Sequence, residues 1–346
     1  MKFLSDIGIK NLKNKICLLR IDLNIKSLND QFRIDSVLPT IKYLAKNKSK
    51  IIILSHRGRP EKFDKNLSLR PIIKILAEKL ETNIVFFDNF NFKKIKEKIS
   101  LTHDNIFALE NLRFLPGEEK NDKILARNLS SLGDLYINDA FAVSHRKNAS
   151  VSAVTKYIKS YAGLLMEKEI KGLTKATKDP KKPLIVILGG TKIGDKINIV
   201  NNLNACVKFF LFGSSVLNET SNPKIRSILK NKKCVLPKDF AIKDKKYFDI
   251  GLKTIAEYKK IISEAKTIIW NGPVGMSENK QYAKGTMAIA KAVTNSKAFK
   301  VVGGGETSNF ILKKKLGKKV NLLSTGGGAM LDFLAGKEMP GIKALK

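Results

Sequence analysis

Short apolar runs alternate with amphipathic stretches along nearly the whole chain. In the first half the runs occupy residues 16–21, 51–54, 84–87, 106–109 and 135–137; in the second half they occupy 184–188, 207–212, 267–270, 299–302 and 320–323. They are short and rich in Ile and Val, as strands buried on both faces are. Between them, residues 34–47 and 69–80 carry apolar positions at helical spacing. This alternation predicts βαβ units, and therefore parallel sheets covered by helices on both sides: an α/β fold of two doubly wound, Rossmann-like domains. A long helical pattern over 164–176 ends in Thr177-Lys178-Asp179-Pro180-Lys181-Lys182-Pro183, ahead of a fresh strand. The largest break in the pattern lies there, which makes the helix before it a candidate hinge between the two domains.

Composition is compatible with that picture. A chain of 346 residues with 43% hydrophobic content can bury two cores. No apolar run approaches the length of a membrane span, and the start Met1-Lys2-Phe3-Leu4-Ser5-Asp6 turns polar too early for a signal peptide, so a soluble cytoplasmic protein is expected. Cys17, Cys206 and Cys234 are far apart and odd in number, and read as reduced thiols rather than bridges or zinc ligands. The formal net charge of +34 is the usual footprint of nucleic-acid binding. Only nine of the 65 basic residues are Arg, however, and the lysines are spread over the whole chain. A solvated lysine surface that attracts anionic substrates is the better reading, with no specific nucleic-acid partner.

Chemistry is concentrated just after the runs, where ligands bind in open parallel sheets. Four loops there are glycine-rich or basic: Ser55-His56-Arg57-Gly58-Arg59-Pro60, Gly189-Gly190-Thr191-Lys192-Ile193-Gly194-Asp195-Lys196, Gly303-Gly304-Gly305-Glu306-Thr307 and Ser324-Thr325-Gly326-Gly327-Gly328. Glycine lets a backbone approach an anion, and a helix starting there points free N–H groups at it. Asp22, Asn24, His56, Arg59, Arg113 and Arg146 follow the runs of the first half, and Arg33 opens its first helix. Arg33, Arg59, Arg113 and Arg146 are four of the nine arginines. Guanidinium forks at one rim predict a pocket for a small, multiply anionic molecule.

Over essentially its whole length the chain resembles the phosphoglycerate kinase family. The resemblance runs through Arg20-Ile21-Asp22-Leu23-Asn24, Ser55-His56-Arg57-Gly58-Arg59-Pro60, Leu109-Glu110-Asn111-Leu112-Arg113-Phe114 and Tyr136-Ile137-Asn138-Asp139-Ala140-Phe141. It continues through Leu188-Gly189-Gly190-Thr191-Lys192, Ile269-Trp270-Asn271-Gly272-Pro273-Val274-Gly275 and Ser324-Thr325-Gly326-Gly327-Gly328-Ala329. It implies a phosphoglycerate-binding domain over residues 1–168, the hinge helix and a nucleotide-binding domain over 169–325, and a final segment, 326–346, that returns to the first domain. It implies a monomer that transfers a phosphoryl group between 1,3-bisphosphoglycerate and ADP, giving 3-phosphoglycerate and ATP, with Mg²⁺ carried by the nucleotide.

The matching positions assign Asp22, Leu23, Asn24, Arg33, His56, Arg57, Gly58, Arg59, Arg113 and Arg146 to phosphoglycerate. They assign Gly190, Lys196, Gly213, Asn271, Pro273, Glu278, Gly304, Gly305, Glu306 and Thr307 to the nucleotide, with Glu306 as the one candidate metal contact. Arg33, Lys192 and Lys196 are the expected catalytic groups. Both acceptors, a carboxylate in one direction and a nucleotide phosphate in the other, are ionised at neutral pH, so no general base is needed. His56 is therefore expected to bind the anion and His145 to be structural, while Glu110, Asp139 and Asp195 are expected to orient nearby arginines. The chain departs from the family's pattern on the nucleotide side. Gly213-Ser214-Ser215 stands where a run of glycines is usual, the stretch from there to Pro237 is short, and Glu306 replaces an aspartate.

Overall fold

The computed structural model describes every residue except Lys26, Asn29 and Lys192. The chain divides into two compact units, one formed by Met1–Lys168 with Glu338–Lys346 and the other by Glu169–Lys337. The helix Leu164–Thr177 carries the chain from one to the other.

The first unit holds six strands: β1 (Ile16–Arg20), β2 (Lys50–Leu54), β3 (Val85–Phe87), β4 (Ile106–Leu109), β5 (Leu135–Asn138) and β6 (Lys159–Ala162). All pair in parallel, in the order β3-β4-β2-β1-β5-β6. Leu18, Leu19, Ile52 and Ile53 in the central strands are fully buried, as the apolar runs require of a sheet covered on both faces. The helix Phe32–Lys46 covers one face with Ile34, Val37, Ile41 and Leu44. The carboxy-terminal segment packs into this unit, where Gly341 donates its N–H to the Ser144 carbonyl at 2.8 Å. A Cβ on Gly341 would meet Val151 at 2.7 Å, so the close approach requires glycine.

The second unit holds β7 (Leu184–Leu188), β8 (Val207–Phe212), β9 (Cys234–Val235), an antiparallel hairpin of β10 (Phe240–Lys243) and β11 (Lys246–Ile250), and then β12 (Thr267–Asn271), β13 (Phe299–Gly303) and β14 (Leu322–Leu323). Six of these form a parallel sheet ordered β14-β13-β12-β7-β8-β9. The chain leaves β7 toward one edge and returns to β12 on its other side. The reversal opens a crevice between the loops after β7 and β12, the place where doubly wound sheets bind ligands. Cys17 lies in the first core, while Cys206 and Cys234 are half-buried. Among the described residues, no helix is long and apolar enough to cross a membrane.

The helix Leu164–Thr177 starts against a buried carboxylate. Asp139 accepts the Met166 N–H at 3.0 Å, satisfying one of the donors a helix start leaves free. Asp139 therefore serves this helix rather than an arginine, contrary to the expectation from sequence. Burial pushes its carboxyl up to about 6. Since that lies above the unfolded value of about 4, the carboxyl favours the fold below about pH 4 and that contribution is lost as pH rises through about 6. Asp139→Asn, which keeps the accepting oxygen without the charge, should gain stability relative to the wild type over that interval. Urea unfolding at its two ends checks this, and parallel stability profiles would contradict it.

Candidate active site

The strand ends of the first unit are joined by side chains that bind main chain. The Ser55 hydroxyl donates to the Ile21 carbonyl at 2.9 Å and accepts from Leu23 N–H at 3.0 Å, tying the loop after β1 to that after β2. The Asn24 amide oxygen accepts the Gly58 N–H at 2.9 Å, and Gly58 has φ +64°, a conformation that suits glycine. Asn111 grips Arg57 from both sides, accepting from its N–H at 3.1 Å and donating to its carbonyl at 2.7 Å. Glu110 accepts from the Leu69 and Asn111 N–H groups and from the Ser68 hydroxyl. Like Asp139, it braces backbone and orients no arginine.

On this frame two of the cations, Arg33 and Arg113, stand beside carboxylates. Arg33 is paired with Asp22, whose other oxygen accepts the Asn24 N–H at 3.0 Å. Arg113 donates to the Gly58 carbonyl and lies 3.0 Å from Glu119. Burial outweighs that carboxylate and pushes the Arg113 guanidinium down to about 10. Arg57 donates to the Asn66 and Ser68 carbonyls, at 3.0 and 3.2 Å, and so braces the loop that follows. Arg146 contacts His145 at 3.2 Å, and Arg59 is exposed. His56 is buried, and its imidazole is held well below its ordinary range by burial first, then by the charges of Arg20, Arg113, Arg146 and Arg33.

Arg20, Glu118 and Ser150 form a buried network that sequence reasoning does not single out. Arg20 ends β1 and is 1% exposed. Its Nε donates to the Ser150 hydroxyl at 2.9 Å, and that hydroxyl donates to Glu118 at 2.6 Å. Glu118 also accepts the Ser150 N–H at 2.9 Å and lies 3.9 Å from the guanidinium. The available signal is an arginine inside an otherwise apolar run, a residue that is buried only when paired.

In the second unit the crevice between the loops after β7 and β12 is narrow. Gly189 donates to the Asn271 carbonyl at 3.0 Å and Gly190 to the Pro273 carbonyl at 2.8 Å. A Cβ on Gly189 would collide with the Pro273 carbonyl. The Trp270 indole, buried as the sequence suggests, fixes this turn by donating to the Gly272 carbonyl at 2.7 Å. Beside it lies a cavity of about 290 Å³ that brings together Gly190, Thr191, Ser215, Pro273, Glu278 and Glu306. Of the other residues expected at the nucleotide, Gly213 packs against Val274, and Gly304, with φ +92°, packs against Asn271. Gly305 and Glu306 open the helix Gly305–Lys313, where Thr307 is buried and can offer its main-chain N–H.

The cavity has a wall that the apolar pattern of the sequence does not reveal. The hairpin turns at Asp244 and Lys245, both with positive φ, and β11 sets Lys246, Tyr247 and Phe248 along the cavity. Asn218 holds this strand by exchanging two 3.1 Å hydrogen bonds with the Tyr247 main chain.

Lys196 is buried and donates to the Gly189 carbonyl. Burial pushes its ammonium down to about 8, against the opposing pull of Glu306, Glu219 and Asp195. Lys192 lies outside the described residues. Among those described, no group of three or more His, Cys, Asp or Glu could hold a metal ion. Of the two carboxylates that line the cavity, Glu278 and Glu306, the one that opens a helix, Glu306, fits a Mg²⁺ whose other ligands are phosphates and water.

The family model described as phosphoglycerate kinase matches residues 4–222 and 213–337, two stretches that overlap at residues 213–222. A phosphoglycerate kinase of Dictyoglomus turgidum is 38% identical over 391 aligned positions, covering 100% of this chain and 99% of that protein. One of Coprothermobacter proteolyticus is 36% identical over 387, covering 99% and 98%. With 346 residues here, both relatives contain segments that this chain lacks. Among solved structures, the phosphoglycerate kinase of Pyrococcus horikoshii superposes with a TM-score of 0.88 at 30% identity, over 100% of this chain and 98% of that one. That of Coxiella burnetii gives 0.85 at 33%, over 99% and 98%.

The buried pair beneath the arginine rim generates a stability prediction. Glu118→Ala leaves the Arg20 charge buried without its carboxylate, which should cost about 3–5 kcal/mol. Chemical denaturation measures this directly. A loss below about 1 kcal/mol would place the balancing charge elsewhere.

Proposed function

The chain belongs to the phosphoglycerate kinase family, and from that premise we propose that it catalyses the reversible, Mg²⁺-dependent transfer of a phosphoryl group between 1,3-bisphosphoglycerate and ADP. The observation that carries this reading is the full-length relationship. The arginine rim in one unit and the glycine-lined cavity in the other support it. In this reading the protein is a cytoplasmic, monomeric enzyme of glycolysis and gluconeogenesis, and the helix Leu164–Thr177 is its hinge.

Asp22, Leu23, Asn24, Arg33, His56, Arg57, Gly58, Arg59, Arg113 and Arg146 form the phosphoglycerate face. Arg57 contributes there by bracing the loop, since its guanidinium is already bonded to main-chain carbonyls. Gly190, Lys196, Gly213, Asn271, Pro273, Glu278, Gly304, Gly305, Glu306 and Thr307 form the nucleotide face. Mg²⁺, when carried in on the nucleotide and contacted by Glu306, supplies charge neutralisation at the phosphates. Because neither acceptor has a proton to lose, the protein's task is alignment and neutralisation of the transferring group, which falls to Arg33, Lys192, Lys196 and the N–H groups opening the helix Gly305–Lys313. Water must be excluded, because an acyl phosphate hydrolyses readily.

A coupled assay with ATP and 3-phosphoglycerate tests the activity. Absence of turnover with both ligands still bound would instead make the chain a noncatalytic relative. A salt-dependent interaction with random duplex DNA in place of either ligand would point to the charge.

Two further outcomes follow from the assigned roles. Arg33→Ala should lower kcat far more than Arg113→Ala or Arg146→Ala, since Arg33 is assigned to the transition state and the other two to ground-state binding. Equal losses of kcat in the three variants would defeat that division. For Lys196, the free enzyme carries the charge below about pH 8 and loses it above. The kcat/KM for the nucleotide should therefore fall as pH rises through about 8, and Lys196→Met should remove that limb together with most of the activity. A wild-type profile that stays flat past that point would exclude Lys196 as the titrating group.

A further inference from the structure

His56 sits at the end of β2, in the middle of the phosphoglycerate face assigned above, and its ring meets a donor that cannot accept. Arg20 places Nη2 3.1 Å from His56 Nδ1. A guanidinium has only N–H groups to offer, so a hydrogen bond between these two nitrogens exists only if Nδ1 presents its lone pair. A proton on Nδ1 would set N–H against N–H inside a buried contact. The guanidinium has little freedom to turn away. It is 1% exposed, it donates through Nε to Ser150 and through Nη1 to the Ile21 carbonyl, and Glu118 anchors Ser150 through both its hydroxyl and its N–H. The Tyr136 hydroxyl donates to the Ser150 carbonyl at 2.5 Å, closing the network from β5.

We propose that Arg20 is a positioning residue that fixes His56 as the neutral tautomer with its proton on Nε2. This rests on the reading of the face as the phosphoglycerate site, where His56 then offers an N–H donor rather than a further cation or an acceptor. The other groups around the ring reinforce the choice. Arg33, Arg113 and Arg146 disfavour a second proton, and burial acts in the same direction. The single nearby carboxylate, Asp22, is 3.9 Å from Nδ1, beyond hydrogen-bond distance, and is already paired with Arg33. A neutral imidazole among arginines adds recognition of phosphate or carboxylate oxygens without adding repulsion. It also frees this contact from the titration that an ordinary histidine undergoes near pH 6.5.

The test reads the ring itself. In uniformly ¹⁵N-labelled wild-type protein without ligand, imidazole nitrogen shifts should show Nδ1 unprotonated and Nε2 protonated, unchanged from about pH 5.5 to about pH 8. A proton on Nδ1 anywhere in that interval overturns the proposal on the wild-type protein alone. Arg20→Met should convert the pattern to a mixture of tautomers and weaken 3-phosphoglycerate binding by about tenfold or more, the cost of losing one well-placed donor to a charged ligand. Arg20→Lys, which retains an N–H donor facing Nδ1, should restore the wild-type ring pattern and part of the affinity. A merely structural arginine would lower stability in both variants and leave the tautomer unchanged, and that result also overturns the proposal. Should Arg20→Met not fold, the wild-type ring and Arg20→Lys decide between the same alternatives. Calorimetry with 3-phosphoglycerate separates this inference from the functional reading. A protein with the expected tautomer that binds no phosphoglycerate refutes the function alone, and one that binds phosphoglycerate with Nδ1 protonated refutes the tautomer alone.

Discussion

A face that captures a multiply charged anion must hold several cations close together before the anion arrives, and on the proposed assignment the first unit is organised around that repulsion. In a partly desolvated site, two unit charges a few ångströms apart repel by several kcal/mol. Asp22 stands against Arg33, Glu119 against Arg113, and Glu118 beneath Arg20 by way of Ser150. His56, at the centre, is kept from adding another charge. The result is a set of donors whose positions are fixed by pairing and not by the ligand, which is the condition under which binding energy goes to the substrate rather than to ordering the site. The large positive charge of the whole chain draws anions toward such a face without deciding its geometry.

On the proposed assignment the second unit meets phosphate by a different physical route. Its cavity holds few charged groups, and its loops are brought together by glycine. Gly189 and Gly272 pack backbone on backbone across the reversal of strand order, and either Cβ would collide with the opposite loop. Main-chain N–H groups and the start of the helix Gly305–Lys313 then supply positive potential without the repulsion that clustered arginines create. Lys196 is the buried exception, and three carboxylates moderate the cost of its burial. On that assignment one unit recognises its anion mainly with side chains, and the other mainly with backbone.

These two strategies leave unequal traces in a sequence. All ten apolar runs hold strands, because a parallel sheet buried on both faces demands largely hydrophobic residues. The strands without such a trace are β6, whose Lys159 and Ser160 interrupt the pattern, β9, which has two residues, and the β10–β11 hairpin, whose residues are mostly half-buried or exposed. Loop positions after strands point to the arginine rim, because ligand chemistry collects at those ends. Arg20 is hidden by the opposite circumstance: it lies inside a run, and nothing in local spacing ties it to Glu118 or Ser150, about a hundred residues and more away in the chain. Glu110 and Asp139 look like partners for arginine because both lie beside arginine-bearing loops. The free N–H groups of helix starts claim them instead, a need that depends on where helices end in space.

The proposed nucleotide side shows what a chain can discard and what it must keep. Relatives align over 387 and 391 positions against 346 residues here, and the family match divides at residues 213–222. In the space after Gly213 the chain builds a two-residue hairpin turn with Asp244 and Lys245 both left-handed, the shortest connection that matches the twist of paired strands. Shortening a surface connection changes its closure entropy only slowly with length, so thermodynamics resists such trimming weakly. A strand placed along a cavity must still be held in register, and here that task falls to the Asn218 amide, which uses both donor and acceptor on the Tyr247 main chain. Its capacity is spent on architecture, which leaves apolar and aromatic surface from Tyr247, Phe248, Pro273 and Val274 along the cavity. Surface of that kind holds a flat ring by area and stacking and not by reading its edge. The glycine turns after β7 and β12 allow no such economy: an added Cβ at Gly189 or Gly272 meets backbone, and backbone cannot be repacked as a loop can be shortened.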